Sequence, residues 1–512
     1  VFPSNINAAP GATAPDKMSI APGFKVELLH SVPGETEGSW VAICPDPKGR
    51  LYVSDQYGGI YRLTPPPIGQ STPLKIEKVA AKIGDATGLL WAFDSLYALV
   101  CTTGKYPSGL YRVKDSDGDD QLDAVEMLQP LEGRGDHGPH QVLLSPDGKS
   151  ITVLIGNHTK PVSGAHSLVP EVWQEDHLLP RMWDARGHAK GVLAPGGCIY
   201  RVSPDGKQWT LVSMGYRNQY DAAYNRVGDL FTYDSDMEWD MNTPWYRPTR
   251  LCMATSGSEF GWRSGTGKWP SYYPDSLPPI LEVGPGSPTG TVFGYGAKFP
   301  SKYQDALFIC DWSYGKLYAV HMQPDGAAYK AELETFLQGQ PLPLTDLVVN
   351  PADGALYITT GGRKVQSGFY RVTYTGTEST APVTAKPEPT QEWMFRRNLE
   401  SFHGRKDEQA YQLAWPFLEH KDRYVRYAAR VALQHQDPKQ WQERALEETD
   451  PQRVINSMIA LARVGDKALQ PQVLEQLDDL DPTKLSEELT LETLRALGLV
   501  FVRMGEPDAE TR

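Results

Sequence analysis

The feature of this sequence that most constrains its fold is a unit of short strands that recurs six times before residue 374. Each unit has alternating apolar residues, a turn such as Pro-Asp-Gly, and a second apolar strand. A sandwich could use such strands, but it would not explain the recurring ending "LYxV…GxYRV". Repeats of this size favour a mainly β fold, a six-bladed β-propeller over residues 20–374. The units lie at 40–63, 88–113, 140–157, 220–236, 303–320 and 345–372.

The character of the sequence changes after Tyr374. Residues 375–391 are rich in Thr, Pro and Glu and predict a linker that has nothing to pack. Three amphipathic segments follow, and their apolar residues recur at intervals of three and four. These segments resemble HEAT-type repeats, so a smaller all-α solenoid of HEAT-like helices is predicted over residues 392–512.

The two ends of the chain carry further expectations. Residues 1–19 are predicted to form an extended N-terminal arm. The chain begins at Val1 rather than Met, which predicts a removed leader and a periplasmic or secreted protein. It stops at Arg512 just after a helical segment, so a capping repeat or a further domain is expected beyond it.

Composition excludes several classes of function. The net charge of −13 argues against nucleic acid as a partner, because phosphate neutralisation needs clustered Lys and Arg. No apolar run approaches the roughly 18 residues that a membrane-spanning helix needs. No C-x-x-C pair occurs among the five cysteines, so neither a zinc knuckle nor an attached c-type haem is encoded.

The acidic segment "DSDGDDQLDAVE" has the ligand spacing of a calcium-binding loop. It departs from that pattern at its sixth position, where Asp120 replaces the usual glycine. The alternative is a solvated acidic turn on the surface. The predicted ligands are Asp115, Asp117, Asp119, Gln121, Asp123 and Glu126.

Two histidines, His137 and His140, flank a stiff Gly-Pro turn immediately before a predicted strand. Asp136 precedes them and could orient an imidazole. A neutral imidazole at such a place can take a proton from an alcohol or bind a metal. The alternative is that both are ordinary surface histidines.

The densest polar constellation lies between residues 214 and 250. Arg217 and Asn218 precede a strand, and Asp234 and Asp236 are two residues apart, so these carboxylates could converge on a cation. The alternative is an acidic rim balanced by arginines. Aromatic and basic residues suited to sugar stacking and carboxylate binding complete the predicted substrate site: Trp245, Tyr246, Arg247, Arg250, Trp312 and Arg363.

The order "DHGPHQVLLSPDG", "GYRNQYDAAYN…GDLFTYDSD" and "GSEFGWR" resembles the soluble glucose and sorbosone dehydrogenases, propeller enzymes that use pyrroloquinoline quinone (PQQ) with calcium. "FTYDSDMEWDMNTPWYRPTR" and "CDWSYGKLYAV" are more closely similar to the membrane-bound dehydrogenase propellers inferred in planctomycete-type bacteria, in which HEAT repeats and often a haem domain follow. The resemblance implies that His137, nine residues before Pro146, is the general base. It also implies that Arg217 and Asn218 face the cofactor or substrate.

The sequence departs from that family at two places. The family presents a lysine in the fifth blade and an Arg-x-Arg before the sixth, where this chain has Ser313 and the segment "PLTD" (343–346). Those cations would pair with the quinone carboxylates, so their absence weighs against a bound quinone. Lys316 and Arg363 are the nearest substitutes.

Three hypotheses therefore remain open. The first is an exported oxidoreductase that acts on a sugar or related alcohol and passes electrons to a haem domain absent from this chain. The second is a metal-assisted carbohydrate lyase or hydrolase. The third is a non-catalytic scaffold that binds carbohydrate or protein. In the first two, His137 and His140 are predicted to lie at the mouth of the propeller channel, near Arg217 and the Asp234–Asp236 pair.

Overall fold

The computed structural model describes residues 11–265 and 268–507. Within them the predicted architecture is confirmed: six β-sheets form a propeller, and helices follow from residue 391. Residues 1–10 of the predicted arm and residues 508–512 of the predicted helical region lie outside the described residues.

The N-terminal strands do not begin a blade of their own. Strand β1 (Met18–Ile20) and strand β2 (Phe24–Val32) instead pair with strands that come late in the chain. The first two blades follow as antiparallel sheets of four strands each. Blade one contains β3 (Trp40–Pro45), β4 (Leu51–Asp55), β5 (Ile60–Thr64) and β6 (Lys75–Lys78), and blade two contains β7 (Ala86–Ala92), β8 (Ser95–Val100), β9 (Gly109–Lys114) and β10 (Ala124–Pro130).

Blades three and four carry long insertions between their strands, over 168–196 and 235–248. A short strand that follows the third strand of blade four in the sequence also pairs with blade three. Blade three contains β11 (Pro139–Leu144), β12 (Ile151–Ile155), β13 (His166–Ser167), β14 (Gly197–Val202), β15 (Trp209–Tyr216) and the added β19 (Ser258–Glu259), and blade four contains β16 (Ala222–Tyr224), β17 (Leu230–Asp234), β18 (Thr249–Ala254) and β20 (Leu281–Gly284).

Blades five and six are closed by the N-terminal strands. Strand β1 adds to the edge of blade five, and β2 forms the outer strand of blade six, with Phe24 opposite Tyr374. This pairing joins the two ends of the propeller, because one sheet now contains strands from both. Blade five contains β21 (Pro288–Phe293), helix α1 (Ser301–Gln304), β22 (Leu307–Asp311), β23 (Lys316–Asp325) and β24 (Ala328–Gly339), and blade six contains β25 (Leu344–Val349), β26 (Leu356–Thr360) and β27 (Ser367–Tyr374).

The first strand of every blade lines the central channel. Each of these inner strands contacts the inner strand of the next blade, and β25 contacts β3 to complete the ring. Threonines hold neighbouring blades together: Thr87 Oγ1 donates to the carbonyl of Pro139, Thr289 Oγ1 to that of Leu344, and Thr345 Oγ1 to that of Trp40. All inner strands therefore start at one end of the channel, which we call the channel mouth.

The C-terminal helices alternate in length, and side chains cap the longer ones. Asp422 and Asp450 accept hydrogen bonds from the first free backbone N–H groups of their helices, and Ser486 does the same. No described helix combines the length and apolar character needed to cross a membrane. The helices are α2 (Gln391–Glu400), α3 (Ala410–Ala414), α4 (Arg423–Gln434), α5 (Gln442–Leu446), α6 (Pro451–Val464), α7 (Gln470–Asp478) and α8 (Glu487–Met504).

The helices pack directly onto the propeller. One continuous apolar core joins blade four and blade five to α2, α4, α6 and α8. Buried ion pairs cross the same interface, including Arg495 with Asp275 at 2.7 Å. The segment predicted to have nothing to pack also has partners, since the backbone N–H of Val383 donates to Gln304 Oε1.

We expect the protein to lose stability between about pH 6.5 and pH 4, because buried neutral histidines must take up protons. Burial lowers the pKa of His403 to about 4, and its two nitrogens bond Ser256 Oγ and the Ala428 carbonyl. The unfolded imidazole titrates near 6.5, so the unfolded chain binds the proton first. Stability is therefore complete above pH 6.5 and falls by about 2 kcal/mol for this group near pH 5.

Urea unfolding of wild type and His403→Gln across this pH range would measure the effect. The variant should show a shallower loss of stability on acidification than wild type. His321→Gln, at a partly exposed histidine paired with Glu334, is the control and should follow the wild-type curve. Parallel curves for wild type and His403→Gln would contradict the prediction.

Candidate functional site

The channel mouth is organised by a recurring aspartate. At the end of the second strand of three blades, Asp55, Asp234 and Asp311 accept hydrogen bonds from backbone N–H groups of the loop that leads into the inner strand. These bonds fix the loops that carry polar side chains into the mouth. Arg217 and Asn218 are held in this way by Asp234 at 3.1 and 2.9 Å.

Asp234 and Arg250 are consequently not available to a cation or a substrate. Asp234 is fully buried, and its Oδ2 accepts from Arg250 Nε and Nη2 at 3.1 and 3.0 Å. Arg250 is also buried and donates to the Phe260 carbonyl. The predicted metal role of Asp234 and the predicted substrate role of Arg250 are therefore corrected, because each charge neutralises the other inside blade four.

His137 lies at the mouth within a group of three imidazoles. Its ring centroid is 4.7 Å from that of His158 and 5.1 Å from that of His188. Its Nδ1 is 2.6 Å from Asn157 Oδ1. Burial, then the nearby charge of Arg217, keeps the pKa of His137 well below its usual value, and burial also lowers the pKa of His158 and His188. The group is therefore neutral at pH 7.

His140 lies deeper than His137, and its side chain is inside the protein. It is 1% exposed, and its Nε2 is 2.6 Å from Asn218 Oδ1. Asn218 Nδ2 donates to the carbonyl of Asp136, so the amide oxygen faces the imidazole. Burial lowers the pKa of His140 to about 4. His140 on β11 and Asn218 thus link blades three and four beneath the mouth.

Arg217 is shared between the imidazoles and two carboxylates. Its guanidinium donates to His188 Nε2 at 3.2 Å and lies 3.3 Å from both Asp236 Oδ1 and Glu238 Oε2. Burial raises the pKa of Asp236 to about 6 although Arg217 opposes the shift. The structure therefore places Arg217 beside the histidines, as predicted, and gives Asp236 an arginine for its partner.

Three members of this group were missed by sequence reasoning: Asn157, His158 and His188. Asn157 and His158 come two and three residues after Ile155, which ends β12 at the position where other blades carry their recurring aspartate, so inspecting the residues that follow the second strands could have found them. His188 lies in the long insertion of blade three, which has no periodicity. No sequence signal pointed to it.

Aromatic side chains form a rim around the mouth. Trp245 is 54% exposed and Tyr246 is 42% exposed, with its hydroxyl donating to the Gly284 carbonyl. Trp312 Nε1 donates to the carbonyl of Gly361 at 2.6 Å. Arg247 pairs with buried Asp240 at 3.3 Å. The exposed rings can stack on a sugar, whereas Arg247 is occupied by its own carboxylate.

The predicted calcium loop is only partly assembled. Ligand oxygens of Asp115, Asp117 and Asp119 all lie within 4.8 Å of one another, and the Gln121 backbone N–H donates to Asp119 Oδ1. Asp123 instead accepts from Ser116. Glu126 lies on β10 opposite Arg112 and pairs with it at 2.6 Å. Glu126 therefore does not close the loop as predicted, because its place on the strand directs it toward β9.

We expect calcium to raise the melting temperature slightly through the three carboxylates that converge. A cation present at ten times its dissociation constant would stabilise the folded state by about 1.4 kcal/mol. Thermal unfolding with calcium and with a chelator measures this shift. Asp117→Asn should remove it, while Asp123→Asn should keep it. An identical shift in wild type and Asp117→Asn would contradict the prediction.

The residues at the mouth do not fit a quinone that carries three carboxylates. At the two places where the resemblance implies cations, Ser313 bonds Ser287 and Thr345 bonds the Trp40 carbonyl. Arg217 is already matched by two carboxylates. Lys316 lies on β23 opposite Asp311 with its Nζ over the Tyr318 ring, and Arg363 already pairs with Asp136. No step of a reaction is assigned to a quinone below.

Comparison with known proteins supports the fold. No protein-family model matches the chain, and no curated protein is significantly similar to it. Among solved structures, a Trichoderma reesei protein of carbohydrate-active enzyme family AA12 is 12% identical, with a TM-score of 0.50 over 70% of this chain and 98% of that one. The PQQ-bound aldose sugar dehydrogenase of Streptomyces coelicolor is 16% identical, with a TM-score of 0.44 over 69% and 100%. At 12% identity the likeness to the Trichoderma reesei protein shows a shared fold alone.

Proposed function

We propose that the channel mouth is the active site of a dehydrogenase-like oxidoreductase that acts on a sugar or related alcohol. The observation that carries the proposal is His137, a neutral imidazole oriented by Asn157 beneath an aromatic rim. A base that must accept a proton at neutral pH needs to be unprotonated and held in place. His137 meets both conditions.

The chemistry follows from the hydrogen bond that orients the ring. With Asn157 Oδ1 as acceptor, Nδ1 of His137 carries the proton and Nε2 keeps its lone pair. Nε2 takes the proton of a sugar hydroxyl, and the adjacent carbon gives up a hydride with two electrons to an organic two-electron acceptor from solution, for which a redox dye substitutes in the assay below. The product is a carbonyl, and the protonated imidazole keeps its hydrogen bond to Asn157 Oδ1.

A metal-assisted or metal-free carbohydrate lyase is the second candidate. The three neutral imidazoles beside Arg217 favour it, together with the uncharged Ser313 and Thr345 where quinone-binding cations would lie. In β-elimination a base removes a proton next to a carboxylate, a carbon–carbon double bond forms and the glycosidic carbon–oxygen bond breaks. That reaction consumes no electron acceptor, whereas dehydrogenation does.

One assay separates the candidates. The purified protein is incubated with neutral and acidic sugars and oligosaccharides, with and without calcium and PQQ, while the reduction of a dye and the ultraviolet absorbance of unsaturated products are both recorded. Dye reduction that depends on sugar supports the oxidoreductase. Unsaturated products without a dye support the lyase. If no sugar in the panel gives either signal, both enzyme proposals are contradicted and the binding scaffold remains.

We also propose that the C-terminal helices are HEAT-like repeats. Each of α4, α6 and α8 contacts a shorter helix that precedes it, respectively α3, α5 and α7. Such pairs are the unit from which helical solenoids are built. In an exported oxidoreductase of this form, a haem domain or haem protein would be the electron-accepting partner, and the location would be periplasmic or extracellular.

A further inference from the structure

The loop between β26 and β27 holds two consecutive basic residues in an unfavourable backbone conformation. Arg363 and Lys364 have φ of 51° and 63°, directly after Gly361 and Gly362, which also have positive φ. A non-glycine residue in this region costs about 1–3 kcal/mol where the surroundings impose it. Contacts with other blades hold the loop: the N–H of Arg363 donates to Gln56 Oε1, and Trp312 Nε1 donates to the Gly361 carbonyl.

This loop places the Arg363 guanidinium across the channel mouth. The guanidinium carbon is 5.2 Å from the centre of the Trp312 ring, and Nη2 is 2.7 Å from Asp136 Oδ2. Asp136 belongs to blade three and Arg363 to blade six. In the ring of inner strands these blades are three apart, so they lie opposite each other. The ion pair therefore spans the mouth, next to His137.

The exposed ion pair contributes little to fold stability. The two side chains of the ion pair are 59% and 49% exposed, and exposed pairs of this kind contribute only about 0–1 kcal/mol. The two left-handed residues form a tight turn that the Val365 N–H closes onto the Gly362 carbonyl. Displacing Asp136 from Arg363 therefore costs the fold little.

The chemistry of the ligand follows from the guanidinium. Its fork of N–H groups matches a carboxylate, and its contact with Asp136 joins Nη2 to Oδ2 at 2.7 Å. The Trp312 ring fixes the plane of the fork, and the exposed rings of Trp245 and Tyr246 supply stacking surfaces for a sugar. Unlike Arg217, which pairs with two carboxylates, Arg363 pairs with the exposed and readily displaced Asp136.

We propose that Arg363 binds the carboxylate of an acidic sugar, such as a uronic acid, by displacing Asp136. The sugar is thereby held over His137. Carboxylate binding by Arg363 can be tested without turnover, whereas the orientation of the sugar toward His137 rests on the proposed function. Binding at Arg363 narrows the substrate class from sugars in general to sugars that carry a carboxylate.

The test compares glucuronate and glucose binding by isothermal titration calorimetry. Wild type should bind glucuronate more tightly, and Arg363→Ala should lose about 10- to 100-fold more affinity for glucuronate than for glucose. Asp136→Asn should bind glucuronate more tightly than wild type, because the competing carboxylate is gone. Arg405→Ala, at an exposed arginine beside Asp407, is the matched control and should behave as wild type.

Arg363→Ala should weaken glucuronate binding and Asp136→Asn should strengthen it, so the test remains informative if one of the two variants folds poorly. Equal losses for both sugars in Arg363→Ala, or unchanged glucuronate affinity in both variants, would overturn the proposal. Binding of PQQ that Arg363→Ala abolishes, with glucuronate affinity unchanged, would assign the loop to a cofactor and also overturn it. Selective binding of the carboxylate sugar without dye reduction or unsaturated products would support this inference. It would contradict the proposed function.

Discussion

Replacing Arg396 with alanine is expected to lower the free energy of unfolding by about 3–5 kcal/mol. Arg396 on α2 is 1% exposed and joins two buried carboxylates, with Nη2 2.6 Å from Asp229 Oδ1 and Nη1 2.8 Å from Glu400 Oε1. Its Nε also donates to the Ala327 carbonyl. Removing the guanidinium leaves buried Asp229 without its cation and leaves Glu400 with the partly exposed Arg397 alone, which costs far more than the loss of an exposed pair.

Denaturant unfolding of the whole chain measures this effect, followed by tryptophan fluorescence. Trp393 reports on the same contact, since its Nε1 donates to Asp229 Oδ2 at 2.8 Å. Arg397→Ala is the control: Arg397 also pairs with Glu400 but is 45% exposed, so its loss should cost at most about 1 kcal/mol. Equal stabilities for the two variants would show that the buried pair does not hold α2 to blade four.

The His137→Ala variant is expected to lose about 10²- to 10⁴-fold in kcat/KM on any sugar that the protein turns over. The variant lacks the oriented Nε2 lone pair that takes the proton of the substrate hydroxyl in the proposed reaction. The melting temperature should change little, because within residues 11–265 and 268–507 the His137 side chain has a single hydrogen bond, with Asn157. His321→Ala on blade five is the control and should keep wild-type turnover.

The pH dependence of the wild-type enzyme adds an independent check on His137. Burial and Arg217 keep its pKa well below 6.5, and the neutral form is the active base. Turnover should therefore persist as the pH falls through 6.5 and decline only in more acidic solution. A decline centred near pH 6.5, or a His137→Ala variant with full turnover, would remove His137 from the reaction.

Much of the fold could be predicted from the sequence because its signals are local. Alternation of apolar residues between turns marks each strand pair, and six such pairs are followed by segments with helical periodicity. The position of the mouth loops could also be anticipated, since equivalent turns of adjacent blades are neighbours. Arg217 and His137 accordingly share His188 as a contact.

Other features were decided only by the tertiary structure. Asp234 and Asp236 alternate in the sequence, yet Asp234 ends β17 and accepts backbone N–H groups while Asp236 faces Arg217. Glu126 has the spacing of a calcium ligand, but its strand pairs it with Arg112. In both cases the pattern of residue types did not determine which group each carboxylate contacts. The register of the strands determined it.

The contacts across the channel could not be predicted from the order of residues in the chain. His188 comes from an insertion without periodicity, and the Asp136–Arg363 pair joins blades that are opposite in the ring. The sequence by itself determined the blades, the helices and the loops that reach the mouth, because short-range patterning governs strands, helices and turns. Closure of the ring decided which of those loops face one another, because that depends on the number of blades and the direction of every inner strand together.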